Sequence, residues 1–445
     1  MVSGVRGSGA KNNSRIFKSD KIDILKAEIT SNVETTKSAT IADCNYFDYC
    51  EHLFRDTVEV RCAFTDTGNR VDGKGIIEGL SLVGTEDFSF EIQDANETKL
   101  KMDLIINKVT PIGHNTKKQE IVFNMTSEEF IRNEQSSSAV SKRYDGKIDL
   151  HVKEILKNNL KAKFKDENIK PTANNYNFIG NRRRALYILN WLSNKSVPLN
   201  DGKLGESAGF ILYQTSDGYH YKSIDFLFSQ EPKRKYAFTG NPTSETNEFD
   251  GVIAKFSSNI EITANKTLRS GAYNTKLVVF DPFNCFYQEI EQNAEETKKG
   301  ITVAGKGLPK FNDKFKNETT RRTYVLKDTG SLPTGDVKEQ IKKNDKETFE
   351  VEKILNQSIR RYNQFKCSSV EVTIPADFDL HVGETIDIQI KSLRNDSSGG
   401  IDKNQSGKYL ILRLTHRISR GEAKTTMELI RDSVGRKVEG VTMMN

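Results

Sequence analysis

The fold of this chain is decided by four strings near its end, VEVTI (370–374), TIDIQI (385–390), KYLILRLTHRIS (408–419) and KTTMELIRD (424–432). In the second string Ile386, Ile388 and Ile390 alternate with polar residues, and the first string has the same period of two. Such alternation places one face of a strand in a core and the other in polar surroundings. The segment Ser419-Arg-Gly-Glu422 supplies a turn between the last two strings. The region therefore predicts a half-buried antiparallel sheet.

Length and composition predict a folded protein with a polar surface. The chain has 445 residues, of which 36% are hydrophobic and 29% are charged, and its formal net charge is +6. This length suffices for roughly two to four domains, each with its own core. No apolar run approaches the roughly 20 residues that span a bilayer, so no membrane insertion is expected. Residues 1–15 lack an apolar signal segment and, like residues 436–445, are predicted to be flexible tails.

The cysteines argue against a disulfide framework or a zinc cluster. There are five of them, an odd number, and none has C-x-x-C spacing. We expect reduced thiols in a protein that is made in a cytoplasm.

Residues 16–126 read as short strands separated by turn signals, which predicts a first β-barrel domain. Within them Gly75–Ile77 is predicted as a strand, and only Tyr46–Phe54 has a helix-like pattern. The end of this region, LIINKVTPIG (104–113) with QEIVFNMTS (119–127), loosely repeats YLILRLTHRI (409–418) with MELIRDS (427–433). A duplicated module and a chance likeness between two apolar hairpins both explain the repeat.

Residues 127–240 change character and predict an α+β domain. Helices are predicted from Ser127, over residues 147–160 and over residues 185–195, the last of them capped by Asn181. The triplet Arg182, Arg183 and Arg184 suits either phosphate binding, or a solvated first helical turn or inter-subunit contacts. The second interpretation is favoured because no glycine-rich cradle precedes the triplet.

The string GFILYQTSDGYHYKSIDFLF (209–228) predicts a β-hairpin that turns at Ser216-Asp-Gly218. Its Tyr219 and Tyr221 suit either cross-strand packing or a ligand platform, and packing is favoured. Residues 241–289 and 365–435 are predicted to form a second β-barrel domain. Between them, residues 290–364 are predicted as an inserted segment, loop-rich to residue 344 and helical from Asp345 to Gln364.

No catalytic, metal or cofactor site is predicted. The six histidines are scattered, and nucleophile elbow, phosphate loop and dinucleotide fingerprint are absent from the sequence. Asp377, Asp379, His381 and Glu384 are the nearest approach to a calcium site, but they lack the spacing of a calcium loop, so turn chemistry is favoured. His416 lies on the apolar face of its strand and is predicted to be a hydrogen-bonded core residue.

Several stretches resemble the baseplate hub proteins of contractile-tailed, myovirus-type phages and the related hub part of type VI secretion spike proteins. They are AGFILYQTSDGYHYKSID (208–225), the most specific, then YDGKIDLHVKEIL (144–156), and DLHVGETI (379–386) with GKYLI (407–411). The resemblance covers most of residues 16–435. It implies a mainly β protein, α+β overall, with two antiparallel barrels, an intervening α+β domain and an inserted loop-rich segment.

The same resemblance implies a structural virion protein without enzymatic activity. The expected partners are two further copies in a pseudo-hexameric trimeric ring, a tail tube or tube-initiator protein, a central spike, and wedge proteins at residues 290–344. Genomic DNA would pass through the ring without specific binding, in a tail baseplate assembled from chains made in the host cytoplasm. The candidate interface residues are Arg182, Arg183, Arg184, Tyr219, Tyr221, Asp377, Asp379 and His381.

Two alternatives belong to other functional classes. One is a β-rich glycan hydrolase that uses acidic residues among Asp377, Asp379 and Glu384, since the carboxylate pair of such enzymes has no local spacing rule. The other is a monomeric glycan-binding adhesin module with Tyr219 and Tyr221 on its binding surface.

Overall fold

The computed structural model shows a mainly β protein. It describes residues 21–114, 117–200, 203–204, 208–238, 249–258, 264–282, 285–293, 302–305, 314, 319–328, 330–331, 336–338, 351–365, 367–392, 400–419 and 421–433. The tails predicted for residues 1–15 and 436–445 lie outside these ranges, as does much of the insertion predicted for residues 290–344. No helix within the ranges combines the length and the apolar character needed to cross a bilayer.

The strands are β1 Asp23–Thr30, β2 Ser38–Thr40, β3 Tyr46–His52, β4 Glu59–Asp66, β5 Asp87–Gln93, β6 Lys99–His114, β7 Gln119–Thr126, β8 Arg143–Tyr144, β9 Phe178–Ile179, β10 Leu199–Asn200, β11 Lys203–Leu204, β12 Phe210–Thr215, β13 Gly218–Ser223, β14 Arg234–Phe238, β15 Gly251–Val252, β16 Lys255–Ser258, β17 Asn274–Asp281, β18 Phe286–Asn293, β19 Arg321–Leu326, β20 Ser368–Pro375, β21 Thr385–Ile390, β22 Gly407–Ser419 and β23 Glu422–Arg431. The α-helices are α1 Ile76–Gly79, α2 Glu128–Arg132, α3 Ile148–Asn158, α4 Ala185–Ser193, α5 Ile224–Ser229, α6 Ala264–Ser270 and α7 Val351–Gln364.

Fourteen of the described strands form one mixed sheet. Its main path runs β15-β14-β21-β22-β3-β4-β7-β6-β5-β1-β2, and β23, β20 and β16 continue from the other edge of β22. Most pairs are antiparallel, as the sequence predicts, but β14 pairs in parallel with β15 and β21. The large sheet is therefore mixed and not purely antiparallel.

The 13-residue strand β22 pairs with strands from both the N-terminal and the C-terminal regions and so connects them in this sheet. Along one edge it pairs with β23. Along the other edge, residues 407–410 pair with β21 and residues 413–418 pair with β3. A strand of this length has room for two partners in succession, and a register shift between Ile411 and Arg413 separates their positions.

Two apolar cores follow from this pairing. One packs side chains of β1 and β3–β7 with Phe378, Ile418 and Ala423 from the C-terminal region. The other collects β20–β23 with Leu53 and with residues of β12, α5 and β14. Strand β20 shows the predicted period of two, because every second residue from Ser368 to Ile374 is buried.

The middle region packs α3 and α4 against the hairpin β12–β13 around a third core. Ile148, Val152, Ile155 and Leu156 are buried along α3, at the helical spacing that the sequence shows. The hairpin turns just before Gly218, whose φ is +106° and where an added Cβ would lie 2.4 Å from the carbonyl oxygen of Lys163. Only glycine fits this close approach.

Three local predictions were wrong. Tyr46–Phe54, predicted as helical, contains β3, because hydrogen bonding to β22 and β4 on both sides holds this stretch extended. Gly75–Ile77, predicted as a strand, enters the one-turn helix α1. The end of the predicted hairpin at 224–228 lies in α5, where Ser223 Oγ accepts the N–H of Phe226 at 3.1 Å and caps the helix.

A smaller sheet stands apart from the large one. Strand β17 pairs antiparallel with β18 and parallel with β19, and α7 packs against β17 and β18. The sequence patterns predict β17 in the second barrel and residues 290–344 in loops. In the structure β17 lies outside the large sheet, and β19 crosses the predicted loop region as a regular strand.

Candidate functional site

The loop between β20 and β21 holds the four residues that come nearest to a metal or acid–base site in the sequence. Arg234 on β14 donates from Nε to Asp377 Oδ2 (3.1 Å) and from Nη2 to Asp379 Oδ2 (2.9 Å). Lys233 Nζ lies 2.8 Å from Glu384 Oε1. Each carboxylate is thus paired with a cation. The arrangement is an ion-pair network that fastens the loop to β14.

The fourth residue, His381, contacts a carboxylate from the other end of the chain. Its Nδ1 lies 2.9 Å from Oε1 of Glu51, a fully buried residue of β3. The same Glu51 oxygen accepts the hydroxyl of Tyr49 (2.6 Å), and Oε2 accepts the N–H of Val382 (2.9 Å). Glu51 is therefore the centre of a polar junction between β3 and the loop that precedes β21.

Burial by itself lowers the pKa of His381, but the charge of Glu51 and its hydrogen bond outweigh this and raise the pKa to about 9. Two neighbouring histidines behave in the opposite way. Burial lowers the pKa of His416 and of His220 to about 3, and the positive charge of His381 acts in the same direction. At neutral pH the junction therefore holds one charged and two neutral imidazoles.

His416 is a fully buried residue, as its place on the apolar face predicts. Its Nδ1 lies 2.8 Å from Thr425 Oγ1, and its ring stacks on Tyr49 and meets Phe378 edge-on. Across the described ranges, no three His, Cys, Asp or Glu side chains form a group able to hold a metal ion.

The arginine triplet lies on the surface in a tight turn. Asn181 and Arg182 both have positive φ, 50° and 56°, a conformation that costs energy for residues other than glycine. The guanidinium of Arg183 lies over the ring of Tyr187, and Arg184 pairs with Glu134 at 2.6 Å.

The cap of α4 differs from the one that the sequence predicts. Arg184 occupies the N-cap position in place of Asn181, and its side chain makes no capping hydrogen bond. Asn133, from the end of α2, supplies the cap by accepting the N–H of Leu186 at 2.9 Å. A cap from a distant segment leaves no local sequence signal.

Tyr219 and Tyr221 are fully buried, so neither presents a ring to a ligand in this fold. The hydroxyl of Tyr219 donates to the carbonyl oxygen of Asp56 (2.8 Å), and that of Tyr221 lies 2.6 Å from Ser196 Oγ. The Tyr221 ring also stacks on Phe210 at 4.8 Å between centroids. Both side chains are packing residues with satisfied hydroxyls.

Sequence reasoning missed a buried ion triad. Arg361 on α7 donates to Asp225 Oδ1 and to Asp432 Oδ2, each at 3.0 Å, and all three side chains are almost fully buried. Arg361 also donates to the carbonyl oxygen of Thr302. The triad joins α5, α7 and the end of β23. Its members stand 136 and 71 positions apart in the chain, so no local pattern reveals them.

The smaller sheet exposes an apolar surface that sequence reasoning also missed. Because directly paired residues of neighbouring strands share a face, Phe280 lies beside Tyr287 and Leu326, and Val278 lies beside Tyr324. The exposed fraction is 42% for Phe280, 63% for Tyr287, 73% for Tyr324 and 65% for Leu326. We call these five side chains the outer apolar face.

The opposite face of the same sheet is the packed one, because Leu277 and Val279 are buried there. Neither β18 nor β19 has a second partner among the described strands, so each leaves one edge unpaired there. A contiguous exposed apolar surface with open strand edges is typical of a protein–protein contact site. The signal in the sequence is that both faces of β17 carry large apolar residues.

No protein-family model matches the sequence, and no curated protein matches it. Solved structures do match. A tail protein from Neisseria meningitidis MC58 is 9% identical, with a TM-score of 0.51 over 91% of this chain and 96% of that one. The 43 kDa tail protein of prophage MuSo2 from Shewanella oneidensis is 8% identical, with a TM-score of 0.50 over 92% of this chain and 98% of that one. The chain has the fold of these tail proteins.

Both matches extend over nearly the whole of each chain, so the tail-protein fold includes the large sheet and the middle region together. The E. coli c3393 protein, a component of the type VI secretion system, is 10% identical with a TM-score of 0.40, over 94% of this chain and 79% of that one. The resemblance seen in the sequence to phage tail proteins thus has structural counterparts in the two tail proteins.

Proposed function

We propose that this protein is a baseplate hub: a structural virion protein that forms a trimeric, pseudo-hexameric ring between the tail tube and the cell-puncturing spike. The observation that carries the proposal is the end-to-end likeness of its fold to two tail proteins. Genomic DNA would pass through the ring during ejection without specific binding. The protein would have no enzymatic role and would reside in the tail baseplate after synthesis in the host cytoplasm.

The pairing of the strands supports two barrel-like modules per chain. Strands β1–β7 form one group, and residues 251–258 bond to β14 through β15 and to β20 through β16 in the other. A bridge between Lys21 and Glu422 brings the start of the first group to β23. Two similar modules in each of three chains would present six similar units to a hexameric tube.

The proposed domains are those predicted from the sequence, apart from β17 and the start of β18, which pair in the smaller sheet. They are tails at 1–15 and 436–445, a first barrel at 16–126, an α+β domain at 127–240, a second barrel from 241–289 and 365–435, and an insertion at 290–364. The continuous bonding of β20–β23 supports the second barrel.

We further propose that the outer apolar face, which the insertion helps to build, binds a neighbouring baseplate protein of the wedge type. Four of its side chains are at least 42% exposed. Burying such side chains against a partner removes apolar area from water, which favours binding by roughly 25 cal/mol for each Å² buried. The outer edge of β19, which pairs with no further strand among the described ones, offers its main-chain groups to the same partner.

The mass of the purified protein in solution tests the proposal first. Light scattering across a range of protein and salt concentrations is expected to give three times the chain mass of 50.3 kDa. Electron microscopy of the same sample should show rings with a central opening. The trimer should bind the tube and spike proteins of the same particle when they are mixed.

A strict monomer that stays monomeric in the presence of tube and spike proteins, and binds neither, would contradict the hub. A control variant distinguishes a real failure to assemble from a fault in the preparation. Glu78 is 71% exposed and pairs only with Lys74 in the ion pairs of the described residues, so Glu78→Gln should assemble like the wild type. Loss of assembly in this control would point to a general preparation fault.

A further inference from the structure

A row of mostly basic side chains crosses the outer surface of the large sheet. Six strands lie side by side here, and each contributes one residue that pairs directly with the residue on the next strand. In the order β23, β22, β3, β4, β7 and β6, these residues are Lys424, Arg417, Asp48, Arg61, Asn124 and Lys108. Directly paired residues share a face of the sheet, so the six side chains lie on one side of it. We call them the basic row.

The basic row is long, and its cations face solvent. Neighbouring strands lie about 4.8 Å apart, so a row across six strands extends about 24 Å. Its two lysines and two arginines are all exposed. The residues that precede or follow them on the same strands, such as Phe47, Cys62 and Ile418, are buried in the apolar core on the opposite face. The sheet therefore presents these charges on an open surface.

A single carboxylate in the row opposes its four cations. Asp48 is 6% exposed and accepts two hydrogen bonds from Arg417, at 2.7 Å and 2.6 Å. Arg61, Lys108 and Lys424 form no ion pair with any residue that the structure describes. Four cations and one carboxylate leave the row with a net charge of +3. Three of the charges are thus available to an anionic partner.

The rows on either side are polar. One consists of Thr426, Thr415, Cys50, Glu59, Thr126 and Ile105, and the other of Glu422, Ser419, Tyr46, Ala63, Val122 and Thr110. Glu59 is already paired with Arg55. None of the large apolar side chains that are exposed in the described part of the chain belongs to these rows.

This composition favours a nucleic acid over a protein as the partner. The centre of a protein–protein interface is poor in charge and rich in aromatic and apolar side chains. A DNA-binding surface is more polar and much more positive, and it also uses hydroxyl and amide groups to contact phosphates. The basic row, with Asn124 in it and threonines beside it, has the second character.

We propose that the basic row binds the phosphate backbone of double-stranded DNA, whatever the base sequence. Its cations would displace counterions from the phosphates. A duplex is favoured over a single strand, because single-strand sites stack bases on aromatic rings. Tyr46 is the one aromatic residue in the three rows, and its ring centroid already lies 6.0 Å from the guanidinium of Arg61 and 5.8 Å from that of Arg417.

The binding itself needs only the charges of one chain. That the duplex is the genome in transit through the ring rests on the proposed function. The two proposals can therefore fail separately. A monomer that binds duplex DNA through the row would support this inference and contradict the hub, whereas an assembled ring that binds no duplex would do the reverse.

The test measures binding of a fluorescent DNA duplex of mixed sequence to the full chain, by anisotropy at several salt concentrations. The logarithm of the binding constant should fall linearly with the logarithm of the salt concentration. Arg61→Gln, Lys108→Gln and Lys424→Gln should each weaken binding about threefold and reduce the salt slope by about one. Arg417 is retained in all variants, because its loss would leave Asp48 without its cation.

Lys157→Gln is the matched control. Lys157 is exposed on α3, outside the large sheet, and its replacement removes the same charge, so this variant should bind duplex like the wild type. Unlabelled duplex of a different sequence should compete fully, whereas polyglutamate and single-stranded DNA should compete less well. Melting temperatures should be equal throughout. Absence of duplex binding at low salt, a triple variant that binds like Lys157→Gln, or equal competition by polyglutamate or single-stranded DNA would overturn the proposal.

Discussion

His381 and Glu51, 330 positions apart in the chain, form an ion pair at 2.9 Å between the loop before β21 and the middle of the sheet. Glu51 is fully buried and also accepts hydrogen bonds from Tyr49 and from the main chain of Val382. The pair binds the two ends of the chain where β3 meets β22. It gives the junction a dependence on pH that each segment alone would lack.

Replacement of the buried carboxylate tests this junction. Glu51→Gln keeps the shape of the side chain but leaves His381 without its counter-charge, so we expect a loss of about 3 kcal/mol in unfolding free energy. Denaturant titration measures it as a shift of the unfolding midpoint. The exposed control Glu78→Gln should change the same quantity by less than about 0.5 kcal/mol. Equal losses of unfolding free energy in the two variants would contradict a stabilising role for the pair of Glu51 and His381.

The raised pKa of His381 predicts a loss of stability on the alkaline side. The folded protein holds this proton up to a pKa of about 9, whereas the unfolded chain releases it near 6.5. The ion pair therefore contributes fully below about pH 6.5, and its contribution falls as the pH rises through about 9. Melting temperatures recorded across this window should fall less steeply in His381→Gln than in the wild type.

His416 predicts the opposite slope in acid. Its folded pKa of about 3 means that the unfolded chain takes up a proton near 6.5 while the folded chain resists it. Stability from this residue is complete above about pH 6.5 and is lost as the pH falls towards 3. His416→Phe, which retains a ring between Tyr49 and Phe378, should flatten the acid slope and leave the alkaline slope unchanged. The exposed Glu78→Gln is its matched control and should keep both slopes.

The buried triad predicts that a single replacement costs more than a complete one. Arg361→Met leaves Asp225 and Asp432 buried without a cation, and we expect it to lower the unfolding free energy by about 3–5 kcal/mol. Adding Asp225→Asn and Asp432→Asn to Arg361→Met removes the stranded carboxylates and should recover part of that loss. Denaturation midpoints of the single and triple variants decide the question. A triple variant less stable than the single one would contradict the charge argument.

The outer apolar face predicts substitutions that weaken partner binding and leave the stability of the fold almost unchanged. Tyr324→Ser and Leu326→Ser change exposed side chains, so each should alter stability by less than about 0.5 kcal/mol while weakening any partner that binds there. Leu277→Ala, on the buried face of the same sheet, should cost about 2–5 kcal/mol. Thermal melting and co-sedimentation with baseplate partners measure the two effects. Strong destabilisation by the exposed changes would mean that this face is already packed.

The sequence by itself determined those strands and helices whose own residues show a clear apolar period or turn signal. The alternation at 370–390 indicated β20 and β21, the apolar spacing at 148–156 indicated α3, and the aromatic strings around 216–218 indicated the hairpin β12–β13. These patterns report directly which side of an element faces a core, and they led to the mainly β class. The shortness of every apolar run also argued against a helix long enough to span a bilayer.

Tertiary structure alone decided what depends on partners distant in the chain. Tyr46–Phe54 has a helix-like pattern but becomes strand β3, because hydrogen bonds from β22 and β4 outweigh local preference. The pairing of Glu51 with His381 and the exposure of Tyr324 exist only once strand register is fixed. The sequence by itself determined the elements through periodic burial, whereas register and long-range pairing, which no local period encodes, decided the charged junction and the exposed face.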